Sequence, residues 1–107
     1  MSNINGTYKN DNSGSTLVIS NADDSNGSFS GTLTDANVDY SVSGHYHFKN
    51  SGGPSTIIAI SAFNDGIAYE AWVLFSQDMT FQKLQSMGAR GNFDGTVVGL
   101  GGTFIKQ

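Results

Sequence analysis

The 107-residue chain contains no cysteine and one proline. The first absence excludes disulfide frameworks, thiolate zinc sites and thiol catalysis. It leaves the redox compartment open. No long stretch rich in Ala, Glu, Lys, Leu and Arg occurs, which argues against a helical bundle or coiled coil. Charged residues make up only 13% and aromatics 11%, whereas disordered chains carry much charge and few aromatics. No apolar run approaches the ~18 residues of a membrane-crossing helix, so no membrane partner is expected. Cations are scarce as well. Lys9, Lys49, Lys83, Arg90 and Lys106 are scattered over a chain of net charge -4, and they build no basic stripe. Binding of nucleic acid through its phosphates is therefore not expected. Met1 to Ile4 show neither a charged n-region nor an apolar h-region. With no signal peptide visible, a cytoplasmic protein and the mature form of a secreted one both remain open.

What the chain has in abundance is uncharged polarity: 14 Gly, 14 Ser, 10 Asn and 8 Thr. Apolar residues alternate with these at period two, and helical periodicity is nearly absent. Phe29, Gly31 and Leu33 share one face, opposite Ser28, Ser30, Thr32 and Thr34. Tyr40, Val42, Gly44, Tyr46 and Phe48 share another, opposite Asp39, Ser41, Ser43, His45 and His47. Such patterns describe antiparallel strands with one buried and one solvated face. Strands are predicted over 6–10, 15–21, 28–35, 39–49, 55–64, 67–76, 79–87 and 95–106. In the seventh, Phe81, Leu84 and Met87 also fit a short helical turn. Asn5-Gly6, Asn26-Gly27, Asp65-Gly66 and Asp94-Gly95 supply turns, with Asp65-Gly66 predicted as a two-residue hairpin. Ser51-Gly52-Gly53-Pro54 reads as a loop.

Eight short strands without a linker or repeat imply one domain over 1–107. An open sheet of that size exposes two edges that invite aggregation, and closure removes them. The expected fold class is all-β: an eight-stranded antiparallel up-and-down β-barrel, with a sandwich as the competitor. Sequential hairpins favour the barrel, since consecutive strands tend to be neighbours.

Four stretches carry a family resemblance. They are Asn5-Gly6-Thr7-Tyr8-Lys9-Asn10-Asp11-Asn12-Ser13-Gly14-Ser15, Gly27-Ser28-Phe29-Ser30-Gly31-Thr32-Leu33-Thr34, Tyr40-Ser41-Val42-Ser43-Gly44-His45-Tyr46, and Val98-Gly99-Leu100-Gly101-Gly102-Thr103-Phe104-Ile105-Lys106. In order and spacing they resemble the avidin/streptavidin family, barrels that bind biotin at one open end. The stretch between Phe63 and Phe93 aligns poorly. The resemblance implies ligand contacts from Asn10 and Ser15, which match two of the three family residues that cup the ureido oxygen. The third, a Tyr, is Leu33 here. A family Asp or Asn near the barrel's end falls at Gly101, and the lid loop reads Asn12-Ser13. The resemblance further implies apolar walls from Phe63, Trp72, Leu74 and Phe93, the last where a Trp is lent to a neighbouring subunit. A possible homo-oligomer is implied too. Two lost ureido partners at roughly 1–3 kcal/mol each predict weakened or lost biotin affinity.

Other residues carry less. Asn10 and Ser15 also suit a loop that satisfies its own backbone. His45 and His47 share one strand face, but only Asp39 joins them, so two solvated histidines are expected rather than a metal site. Asp23 and Asp24 lack an EF-hand pattern and read as turn residues. Glu70 is either an inward, perturbed carboxylate or a surface charge, and the alternation around it leaves both open. No Ser–His–Asp set, nucleophile elbow or phosphate loop occurs, so no cofactor and no catalysis are expected. The expected function is noncatalytic binding of a small ligand, with biotin the first candidate. A carbohydrate- or surface-binding module is the alternative.

Overall fold

A computed structural model describes residues 4–48 and 53–107. Eight strands run β1 (Gly6–Asn10), β2 (Thr16–Asp23), β3 (Ser28–Asp35), β4 (Val38–Phe48), β5 (Thr56–Asn64), β6 (Ala68–Ser76), β7 (Lys83–Asn92) and β8 (Val97–Lys106). Each pairs antiparallel with the next, and β1 pairs with β8 through Tyr8↔Lys106, Lys9↔Ile105 and Asn10↔Phe104. The result is the expected closed barrel in sequential order. No described helix is long and apolar enough to cross a membrane.

Period-two alternation places one face of every strand in the lumen. Leu17 and Ile19, Phe29 and Leu33, and Tyr40, Val42 and Tyr46 are buried, whereas Ser30, Thr32, Ser41, Ser43, His45 and His47 are exposed. On β6 the phase left open in the sequence is settled: Ala68, Glu70, Trp72, Leu74 and Ser76 point inward, and Tyr69, Ala71, Val73 and Phe75 point outward. Below the mouth the lumen is filled. Trp72 meets Phe104 edge-on with ring centroids 5.3 Å apart, and Phe29, Tyr46 and Phe48 form an aromatic run. Fully burying each such side chain contributes about 1.5–3 kcal/mol.

Two expectations require correction. Strand β7 covers Lys83–Asn92 rather than 79–87. Its start is displaced because Phe81 sits in the preceding turn with φ 54°, buried in the core. Its end extends because Gly88 and Gly91 pair in the ladder, although glycine is depleted from strands. The β5–β6 connection has three residues, Asp65, Gly66 and Ile67, with Asn64 paired to Ala68. Gly66 at φ 86° fits a type I turn followed by a left-handed glycine. The β3–β4 hairpin turns on Ala36 and Asn37, within the gap left between the strands predicted over 28–35 and 39–49, and both adopt positive φ, 50° and 65°. Lys49, Ser51 and Gly52 lie outside the described residues.

The two ends of the barrel differ in their connections. One end, the mouth, collects the β1–β2, β3–β4, β5–β6 and β7–β8 turns. The far end collects the remaining three connections and both ends of the barrel chain.

Candidate functional site

At the mouth, Asn10 ends β1 with its side chain buried. Its Oδ1 accepts hydrogen bonds from the backbone N–H groups of Asn12 and Ser13 at 2.9 and 3.1 Å. Its Nδ2 donates to the Gly101 carbonyl on the neighbouring strand β8 at 3.1 Å. Glycine at 102 makes this approach possible: a Cβ there would sit 2.4 Å from Asn10 Oδ1, and its φ is +107°. The amide therefore folds the β1–β2 loop and ties it to β8. Two backbone bonds, Asn10 N–H to Ser15 O and Gly14 N–H to Asn10 O, close the same loop.

A continuous polar chain starts at that loop and crosses the mouth. The hydroxyls of Ser13 and Ser15 lie 2.7 Å apart, and Ser15 Oγ donates to Asp35 Oδ1 at 2.9 Å. Arg90 Nη1 donates to Asp35 Oδ2 at 3.1 Å and stands 3.7 Å from Glu70 Oε2. Trp72 Nε1 donates to Glu70 Oε1 at 2.9 Å. Asp35 comes from β3, Arg90 from β7, and Glu70 and Trp72 from β6. Gly88 lets the Trp72 ring lie against β7, since a Cβ at that glycine would fall 2.7 Å from the ring.

Glu70 is completely buried. Burial above all, and then the nearby Asp35 carboxylate, push its pKa up to about 7, against the Trp72 hydrogen bond and Arg90. Glu70 Oε2 and Arg90 Nε are buried without a hydrogen-bond partner. Burial, with the charges of Glu70 and Asp35, also raises the Tyr40 phenol, against Arg90. Above this layer opens a cavity of about 220 Å³ lined by Asn12, Ser13, Ser15, Asp35, Trp72, Arg90, Gly99, Leu100 and Gly101, with Leu100 packed against the core. That is smaller than the roughly 300–1,000 Å³ of common ligand pockets, so it suits a compact ring-sized group.

With this geometry in view, known structures supply a match. The chain shares the fold of a biotin binding protein from chicken. The superposition has a TM-score of 0.75 over 97% of this chain and 95% of that one, at 15% sequence identity. Identity this low establishes the fold alone. No family model and no curated protein matches the sequence.

The residues singled out in the sequence divide into two groups. Asn10, Ser13, Ser15 and Trp72 converge at the mouth. Leu74 is buried two residues deeper on β6 and does not line the cavity. Phe63 does not enter the lumen. It projects from the outer face of β5 against Tyr69, with ring centroids 5.4 Å apart, because Ala62 holds the inward position. Phe93 is 68% exposed in the β7–β8 turn, away from the cavity. Leu33, where the family has a Tyr, is buried in the lumen. Gly101 offers only its carbonyl, which Asn10 takes.

Asp35 and Arg90 went unnoticed as site residues in the sequence. Asp35 shares the inward phase of Phe29 and Leu33, a signal that was present. Arg90 lies past the expected end of β7, so no phase could be assigned to it. His45 and His47 are exposed on the outer wall, and no group of three or more His, Cys, Asp or Glu gathers among the described residues. Asp23 caps its own turn through Ser25, whose hydrogen bonds hold the carboxyl below the usual range.

Proposed function

We propose that this barrel binds a small polar ligand, noncatalytically, in the cavity at its mouth. The supporting observation is the meeting of one aromatic wall, Trp72, with hydroxyls and an ion pair around about 220 Å³ of open space. The biotin-binding neighbour of the same fold makes biotin and other cyclic ureas the first compounds to test. Asn10 and Ser15 are engaged in the protein's own hydrogen bonds, so biotin is expected to bind weakly. Calorimetry at high protein concentration tests this. Heat with biotin that disappears on crowding the mouth with Ser13→Trp supports the reading; heat unaffected by that change removes it.

A second copy of the chain fits the outer wall of β5–β7. Ile57, Val73, Phe75 and Met87 are exposed there in neighbouring ladder positions, with Ala59, Ala71 and Ala89 between them. Contiguous apolar surface of this kind marks interaction sites. That wall is nearly free of charge, so two acidic chains avoid repulsion by meeting along it. Light scattering is expected to give more than one chain per particle, and Val73→Lys is expected to reduce it to one.

One observation favours the carbohydrate alternative. A groove of about 380 Å³ on the outside of the far end sets Phe75 among Gln77, Asp78, Gln82, Lys83 and Gln85. Glycan-array hits lost on Phe75→Ala would move the ligand site there.

A further inference from the structure

The avidin-type loop residues are occupied, and a different pair stands open to the cavity. Asn10 spends both ends of its amide on the β1–β2 loop and Gly101. Ser15 directs its hydroxyl proton into Asp35. Asp35 and Arg90, in contrast, both line the cavity, with side chains 13% and 25% exposed. A carboxylate offers about four lone-pair sites and a guanidinium five N–H donors. The contact between them uses one donor, Nη1, of the guanidinium.

We propose that the Asp35–Arg90 ion pair is the polar element that reads the ligand, and that it selects a compound presenting an N–H donor beside a carbonyl acceptor. This deepens the mouth-binding reading and rests on it. A cyclic urea or lactam has that edge: its N–H donates to the Asp35 carboxylate while its carbonyl accepts from Arg90. Hydrogen bonds to ionised partners are about twice as strong as neutral ones, so the pair outweighs the serine hydroxyls beside it. Trp72 closes the apolar side. Glu70, sealed behind Arg90 with no exposed surface, acts as a positioning residue for the guanidinium and does not touch the ligand.

The test uses 2-imidazolidinone and its N,N′-dimethyl derivative, which keeps the carbonyl and lacks the donors. Binding is read by NMR from the indole N–H of Trp72, the only tryptophan in the chain. Imidazolidinone is expected to shift that signal and to bind at least tenfold more tightly than the dimethyl compound. Asp35→Asn and Arg90→Gln are each expected to weaken it at least tenfold. Arg90→Lys keeps the charge without the planar fork and is expected to lose only several-fold. It also serves if either of the other variants fails to unfold cooperatively on heating. Imidazolidinone that moves the indole signal equally in wild type and in these variants overturns the proposal while leaving the mouth as a binding site. Biotin bound at the mouth without any imidazolidinone binding does the same. No mouth binding by either compound removes both readings together.

Discussion

The two ends of this barrel solve opposite problems. At the far end, Ile4, Phe81 and Leu84 are buried with almost no exposed surface, and the Tyr8 hydroxyl donates to the Ile4 carbonyl at 2.6 Å. Lys106 adds a cation 5.7 Å from the centre of the Tyr8 ring. That end is a mainly apolar plug, interrupted by the buried hydroxyls of Ser76 and of Thr56, whose Oγ1 has no partner. At the mouth the same inward phase carries Asn10, Ser15, Asp35, Glu70 and Arg90. Two carboxyls and one guanidinium share a small space there, and two buried polar atoms lack partners. Apolar packing adds stability without directionality, whereas a polar cluster of this kind costs desolvation and supplies recognition. The contrast places apolar packing at one end and buried polar groups at the other.

The largest expected effect lies at the plug. Phe81→Ala removes a buried aromatic from the core and is expected to cost about 3–5 kcal/mol by denaturant unfolding. If the two ends are independent, the Trp72 indole signal of the surviving folded protein stays in place. A moved signal would break the comparison.

At the mouth the next effect comes from Arg90→Leu. It leaves Asp35 and Glu70 facing each other without their cation. About 2 kcal/mol is expected to be lost at pH 8, because an unbalanced buried charge stays behind. The loss is expected to shrink at pH 5, where Glu70 holds a proton.

The wild type itself is expected to lose stability as pH rises from about 4.5 to about 7. Glu70 keeps its proton up to about 7 when folded and releases it near 4.5 when unfolded. In that window the folded state binds more protons, so rising pH favours unfolding. Above about 7 this contribution is flat. The charged and titratable groups facing Glu70 are Arg90 on β7, Asp35 on β3 and Tyr40 on β4. Its β5 ladder neighbour, Ala62, is uncharged. Glu70→Gln keeps an acceptor for Trp72 Nε1, and it is expected to flatten the profile and gain about 1 kcal/mol at pH 8. Melts across the pH range check both outcomes. A wild-type profile identical to that of the variant would mean the mouth is as neutral as the plug.

The smallest effect concerns the rim. Ala36 adopts φ 50° in the β3–β4 turn, a conformation that Asn tolerates better. Ala36→Asn is expected to raise stability by about 0.5 kcal/mol and to leave the affinity of the mouth unchanged, as thermal melts and imidazolidinone titrations will show.

Much of this molecule was legible in its amino-acid sequence. Period-two alternation across Phe29–Leu33 and Tyr40–Phe48 identified strands and their inward faces, because a pleated strand has only two sides. Asn26-Gly27 and Asp94-Gly95 located turns, since few residues accept positive φ there. Strand number and turn length together pointed to closure in sequential order. The candidate site was legible at Asn10, Ser13 and Ser15, where a loop motif is local, and at Trp72, from a family position. Phe63 was assigned to the ligand wall from a family position, and its own strand phase turns it outward. Tertiary structure alone decided that Asp35, Glu70 and Arg90 meet. They stand on three strands, 35 and 20 residues apart in the chain. Local alternation says which side of a strand a residue occupies, and only the register of a closed barrel says which residues then face one another across the lumen.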